Sequence, residues 1–281
     1  MLSYRHAFHA GNHADVLKHW VLVQLIDYLK QKDKPFWVID THAGAGLYAL
    51  DEGYATKLHE YDTGIGRLWS CADLPAPLAE YVALVRQVNP DGKLRVYPGS
   101  PWLAFHLMRE QDRLRLFELH SSDGRLLQEN FKAAGRRVSI ATTDGFAGLK
   151  ALLPPAPRRA LILIDPSYEM RDDYQHVLHA LRDNLPRFTT GTYALWYPQL
   201  ARAESIQLPE KLKRLAGNNW LHVALTVRAP ATEGMGLHGS GMFIINPPWT
   251  LHAMLKTTLP YLVKTLGQDE GAGFILEHQA N

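Results

Sequence analysis

The chain has 281 residues, 46% of them hydrophobic and 21% charged, with 30 basic against 28 acidic side chains for a net charge of +2. Those values exclude a disordered tail protein and bound the molecule to one large domain, or one domain carrying an insertion. A charge so near neutral permits a nucleic-acid partner without arguing for one, and the clusters Arg136-Arg137, Arg158-Arg159 and Lys211-Leu212-Lys213-Arg214 read as solvated loops or helix faces.

The single cysteine, Cys71, leaves no internal disulfide and suits a reducing cytosol. There is no Cys/His zinc pattern, and His6, His9 and His13 are too loosely spaced to read as a metal site, so no metal is expected. The first residues lack the apolar core of a signal peptide, and no run approaches the roughly eighteen apolar residues of a membrane span. A cytoplasmic monomer is expected.

In chain order, Asn12 has the character of an N-cap, with Asp15 three residues on as a variant capping box. Val16, Leu17, Trp20, Val21, Val23, Leu25, Ile26 and Leu29 then mark a strongly apolar helix to about Lys30. Phe36-Trp37-Val38-Ile39-Asp40 is an apolar strand feeding Thr41-His42-Ala43-Gly44-Ala45-Gly46, a turn in which Gly44 and Gly46 let the backbone approach a ligand. Residues 51–97 read as an insertion, a small helical subdomain. Leu74-Pro75-Ala76-Pro77 opens a helical pattern through Leu78, Tyr81, Val82, Leu84 and Val85, and Asn89-Pro90-Asp91-Gly92 closes it.

Strand candidates follow at Arg115–Leu119, Val138–Thr142, Ala160–Ile164, Thr192–Trp196, Leu221–Arg228 and Gly241–Asn246. Helix-length sequence separates most of them, as at Gly124–Ala134, Phe146–Leu153 and Tyr174–Asn184. Alternating strands and helices give a parallel sheet covered on both faces. The last two strands have too little between them for a crossover helix and should form an antiparallel hairpin. The fold class is therefore α/β: a doubly wound, Rossmann-like, seven-stranded sheet with a terminal hairpin, the class I methyltransferase arrangement. The body would be 1–50 and 98–281.

The richest chemistry lies at Leu161-Ile162-Leu163-Ile164-Asp165-Pro166-Ser167-Tyr168. A carboxylate and a backbone carbonyl at the end of a buried parallel strand can accept both N–H bonds of a planar amine while a ring stacks on its face. That suits methyl transfer to the exocyclic amine of a base; an ordinary Asp-Pro turn has the same four letters. The Gly44/Gly46 pair lacks the third glycine of the dinucleotide fingerprint, which fits S-adenosylmethionine better than NAD, since that cofactor has no pyrophosphate to cradle. The acid expected to bind the cofactor ribose is Glu118, about seventy residues after Gly46 where about twenty is usual; the insertion accounts for the gap. Asn246-Pro247-Pro248-Trp249 has the same polar-Pro-Pro-aromatic form, but it ends a strand read as antiparallel and should lie at the opposite edge.

These stretches together resemble one family. Leu2-Ser3-Tyr4-Arg5-His6, His13 to His19, Asp40 to Gly46, Tyr97-Pro98-Gly99-Ser100-Pro101, Glu118-Leu119-His120, Asp144-Gly145-Phe146, Ile164-Asp165-Pro166, Gly191 to Pro198 and Gly241 to Trp249 are similar, in order, to the J-type bacterial 23S ribosomal RNA adenine-N6 methyltransferases. The resemblance implies S-adenosylmethionine as donor and one adenine of 23S rRNA, flipped from its stack, as acceptor. It implies that Lys18, His19, His42, Gly44, Gly46, Ser100, Glu118, Asp144, Gly145 and Asp165 border the cofactor. Asp165 would be catalytic, and Tyr4, Pro166 and Tyr168 would meet the RNA, Tyr168 by stacking on the target base. Ser167 departs from the pattern, which has a second proline there. The rival readings are an amine methylase acting on DNA or a small molecule, and a nucleotide-binding module or NAD enzyme.

Overall fold

Helix α1 (His13–Lys30) begins where Asn12 Oδ1 accepts the amides of Ala14 and Asp15 at 2.9 and 3.0 Å. The reciprocal bond of a capping box is displaced: the Asp15 carboxylate takes the Gly11 amide at 2.9 Å instead of that of Asn12. α1 is apolar on nearly all sides because it is buried on nearly all sides. The structure, a computed structural model, describes residues 6–51, 58–230 and 236–280.

Among the described residues ten strands follow the helix: β1 (Trp37–Asp40), β2 (Leu47–Ala49), β3 (Val96–Pro98), β4 (Arg113–Phe117), β5 (Val138–Ala141), β6 (Ala160–Ile164), β7 (Thr192–Gln199), β8 (Trp220–Thr226), β9 (Gly239–Ile245) and β10 (Gly273–Gln279). Eight of them form one sheet in the order β10-β8-β9-β7-β6-β1-β4-β5. β5, β4, β1, β6 and β7 are mutually parallel. β9 is inserted antiparallel between β7 and β8, so the hairpin expected from the sequence closes one end of the sheet.

The seven-stranded expectation is one strand short. β10 adds an outer antiparallel edge against β8, with Glu277 opposite His222. Its sequence gave no alternation to read, since the consecutive Phe274 and Ile275 are both exposed.

Among the described residues the further α-helices are α2 (Ile65–Trp69), α3 (Ala76–Gln87), α4 (Ser100–Leu107), α5 (Ser121–Phe131), α6 (Gly145–Leu152), α7 (Asp173–Asn184), α8 (Ala203–Ala216) and α9 (Leu251–Leu266). They build two apolar layers. One holds α1, α4 and α9 against one face of the sheet; the other holds α6, α7 and α8 against the other face, around Phe117, Ile162, Ile164 and Tyr193.

Residues 51–97 are entered and left through a two-stranded ribbon in which β2 pairs antiparallel with β3, Tyr48 opposite Tyr97. Ile65, Leu68, Leu78, Tyr81, Val82 and Val85 of this segment belong to the same apolar cluster as Trp20 and Leu25 of α1. The segment packs as part of the main body and not as a lobe with its own core.

Candidate active site

Parallel strands with short loops bring their carboxyl ends to one rim. There a cavity of about 620 Å³ opens, bordered by the turn after β1, by Glu118 after β4, by Asp144 at the start of α6 and by Asp165 after β6, with α1 forming a wall.

The turn after β1 is held by its own acid. Asp40 accepts the His42 amide at 3.2 Å and the Ser100 hydroxyl at 2.6 Å. Burial pushes its carboxyl up to about 6, with the Ser100 bond opposing. Gly44 and Gly46 both sit at positive φ, +61° and +81°, and a Cβ on Gly44 would lie 2.1 Å from the Tyr48 hydroxyl. No side chain fits there, which is why glycine is required. Gly46 lies behind the rim, its carbonyl accepting the Gly99 amide at 2.9 Å; it shapes the turn without lining the cavity.

Glu118 spans the far side. One carboxylate oxygen accepts the Gly44 amide at 2.8 Å and the other the His120 amide at 2.7 Å. Burial raises its carboxyl, and these two amides pull the other way. Asp144 accepts the Phe146 amide at 2.9 Å and so caps α6 as well as bordering the cavity. A Cβ on Gly145 would lie 2.0 Å from the Thr41 carbonyl, so glycine there lets α6 abut the turn.

On the α1 side, the Lys18 ammonium donates to Asp165 at 2.5 Å and lies 2.9 Å from Asp15. The two side chains are nearly shut off from solvent, 5% and 11% exposed. Burial raises the Asp165 carboxyl against the opposing pull of Lys18. Asp15 also bonds His6 at 2.9 Å; its burial is outweighed by His6, Lys18 and His19, which hold it well below the usual carboxylate range. His19 is pushed down to about 3 by burial and shares a 2.7 Å bond with the Tyr97 hydroxyl, itself 2.7 Å from that of Tyr81 in the inserted segment. His42 is likewise pushed down to about 3 by burial.

The cavity thus gathers Lys18, His19, His42, Gly44, Ser100, Glu118, Asp144, Gly145, Asp165 and Pro166. Tyr168, expected to stack on the target base, sits apart from the cavity lining. Its backbone is left-handed at φ 52°, its ring is buried 4.6 Å from that of Tyr174, and its hydroxyl donates to the Trp196 carbonyl at 2.8 Å. That ring is buried and is not among the residues that line the cavity. Tyr4 lies outside the described residues.

His6, Tyr48 and Phe146, which the sequence did not single out as site residues, also line the cavity, and Asp15 stands behind them against Lys18. Phe146 presents an aromatic surface at the rim, edge-on to His42 at 4.9 Å. The Asp15/Lys18 spacing on one helix face was the available signal for that pair. Asn246 lies at the opposite edge, as topology required, its amide donating to the Thr189 and Gly191 carbonyls at 2.8 and 2.7 Å. Among the described residues no cluster of three or more metal-binding side chains occurs, and no helix is long and apolar enough to cross a membrane.

A family model described as Ribosomal RNA large subunit methyltransferase D, RlmJ, matches residues 33–276. A Haemophilus influenzae protein named Ribosomal RNA large subunit methyltransferase J is 48% identical over 274 residues, covering 97% of this chain and 96% of its own. An Escherichia coli protein of the same name is 49% identical over 262 residues, covering 93% of each. A crystal structure of a Legionella pneumophila protein superposes with a TM-score of 0.89 at 36% identity, over 96% of this chain and 98% of that one.

Proposed function

The chain belongs to the RlmJ family of ribosomal RNA large subunit methyltransferases, and we propose that this enzyme methylates the N6 amine of one adenine in 23S rRNA, the base being turned out of its stack into the cavity. The observation that carries this reading is that Asp165 and the Pro166 backbone, beside Lys18, line the same cavity as the glycine turn and Glu118, which follow the next two strands of the sheet. A hydrogen-bond acceptor for an amine and an acid for a ribose in one cavity match the two substrates of such a transfer.

The residues present fit S-adenosylmethionine. Glu118 keeps lone pairs for ribose hydroxyls after taking its two amides. Asp144 and Gly145 stand where an adenine would sit, and Gly44 provides a wall without a side chain. Lys18, His19, His42 and Ser100 complete the surround. When bound, the cofactor supplies a methyl group on a positively charged sulfur.

The chain's own residues position the acceptor. Lys18 takes one oxygen of Asp165, leaving Oδ1 to accept one N–H of the target amine, while the Pro166 carbonyl accepts the other. Both bonds favour a pyramidal nitrogen with its lone pair directed away from them, so catalysis is chiefly positioning and electrostatics. Asp165, or water beyond it, takes the released proton. Tyr168 acts from behind, tying the Asp165–Ser167 turn to β7 through Trp196. Residues 51–97 are an insertion between 1–50 and 98–281 that shares their core and braces α1 through Tyr81, Tyr97 and His19. The enzyme acts as a cytoplasmic monomer.

The test is to map methylated adenines in rRNA from a strain lacking the gene, and to restore them with the purified protein. One missing N6-methyladenine in 23S rRNA, restored by wild type and not by Asp165→Ala, is the expected result; an unchanged methylation map refutes the assignment.

A further inference from the structure

The α6 side of the sheet is incompletely covered. Side chains alternate along strands, so Ile39, Arg115 and Phe117 share that face with Ser139 and Ala141 of the edge strand β5. α6 has only eight residues and presses onto Phe117; a Cβ on its Gly148 would come within 2.2 Å of that ring. It therefore covers the upper row and leaves the row below it bare. The result is an open groove of about 660 Å³ lined by Trp37, Arg115, Arg136, Ser139 and Thr143, with no carboxylate among its lining residues.

The groove is basic and preorganised. The Arg115 guanidinium lies 4.4 Å from the centre of the Trp37 ring, and its one hydrogen bond among the described residues is a long one, 3.4 Å, to the Leu114 carbonyl. Most of its five N–H donors are unspent. Burial and the charge of Arg113 both oppose its protonation, the signature of positive charge without local compensation. Arg136, exposed at the lower rim, has no hydrogen bond or ion pair among the described residues. Its neighbour Arg137 is spent on structure, donating to the Met108 carbonyl at 2.9 Å.

The groove is also next to the chemistry. Phe146, Ala147 and Lys150 of α6 border the reaction cavity, while Gly148, Ala151 and Leu152 border the groove. The two are separated by the width of one helix, about 10 Å, which is roughly three stacked nucleotides at ~3.4 Å each.

We propose that this groove is a second contact for the RNA substrate, in which Arg115 and Arg136 bind sugar–phosphate a few nucleotides from the target adenine. The inference rests on the reading of the enzyme as an rRNA methyltransferase. Charge complementarity commits the surface to a polyanion, and the stacked Arg115 offers the planar fork suited to phosphate.

The test uses Arg115→Gln, Arg136→Gln and Ser139→Glu, the last adding a repelling charge at an exposed position. Binding of a 23S rRNA fragment is measured over a salt series. Each Gln variant should reduce the slope of log K against log salt by about 0.7–0.9, and raise KM for RNA by roughly fivefold near physiological salt. Ser139→Glu should raise KM similarly. kcat at saturating RNA, S-adenosylmethionine affinity and melting temperature should stay at wild-type values. An unchanged slope and KM overturns the proposal, and so does a loss confined to thermal stability. Wild-type turnover on rRNA in the same assay separates the two failures: if wild type transfers no methyl to rRNA, the reading of the enzyme fails, and the salt slopes still report whether the groove binds RNA.

Discussion

Lys18 and Asp165, 147 positions apart in the chain, form an ion pair at 2.5 Å that joins the first helix to the end of β6. Neither side chain is more than 11% exposed. Lys18 opposes the burial that raises the Asp165 carboxyl and favours its neutral form.

Lys18→Met should therefore slow methyl transfer by about 10- to 100-fold, the scale of losing a charge-assisted hydrogen bond. The direction of the pH effect is fixed. Lys18 lowers the Asp165 pKa, so its removal lets that pKa rise and moves the acid limb of the rate profile to higher pH. Single-turnover rates across a pH series check this; an acid limb that stays in place separates Lys18 from the protonation of Asp165.

Asp165→Ala and Asn246→Ala should behave oppositely. Loss of the preorganised acceptor at Asp165 should reduce the chemical step at least about a hundredfold. Asn246→Ala breaks bonds to Thr189, Gly191 and Asn219 at the other rim and should cost about 1–3 kcal/mol of stability with the chemical step unchanged. Rates on rRNA paired with thermal melts of both variants decide; an inactive Asn246→Ala with an active Asp165→Ala would place the chemistry on the wrong strand.

Tyr168→Phe should lose about 1 kcal/mol with its hydrogen bond to Trp196 and keep most activity. Tyr168→Ala removes a buried ring and should cost about 3–5 kcal/mol. Denaturant unfolding measures both. An alanine variant of wild-type stability whose RNA affinity alone is lost would return the ring to the substrate side.

Glu118→Ala should weaken S-adenosylmethionine binding by about 1–3 kcal/mol, roughly 5- to 150-fold in Kd. Because burial raises the Glu118 carboxyl, acidification should protonate it sooner than an ordinary glutamate and weaken wild-type binding, and the alanine variant should lose that dependence. Titration calorimetry with the cofactor at several pH values tests both statements.

What could be read in advance was whatever repeats at short range. Four aliphatic residues before Asp165 announced a buried strand, and two glycines after Asp40 announced a close approach. Glu118 was found across the insertion because its strand carried its own pattern, although that strand runs Arg113–Phe117 and not to Leu119. Long-range pairing was not legible. Nothing near Lys18 in sequence names Asp165 as its partner, and nothing near Tyr168 shows that a left-handed backbone turns its ring inward. The insertion's shared core was hidden for the same reason: its helix showed an apolar stripe, and a stripe does not say what it packs on.

The placement of β9 between β7 and β8 also dictates an order of events during synthesis. β8 emerges from the ribosome before β9, yet its seat in the sheet is the far edge of β9. At about 5–20 residues per second, β8 waits on the order of one to four seconds for a neighbour, and β7 keeps an open edge for more than twice as long. Strand β6 is complete well before that, but β7, which backs the Asp165 turn through Trp196, is paired on both sides only when residue 245 has been made. The nascent chain thus gains a competent site late, when nearly all of it has been translated.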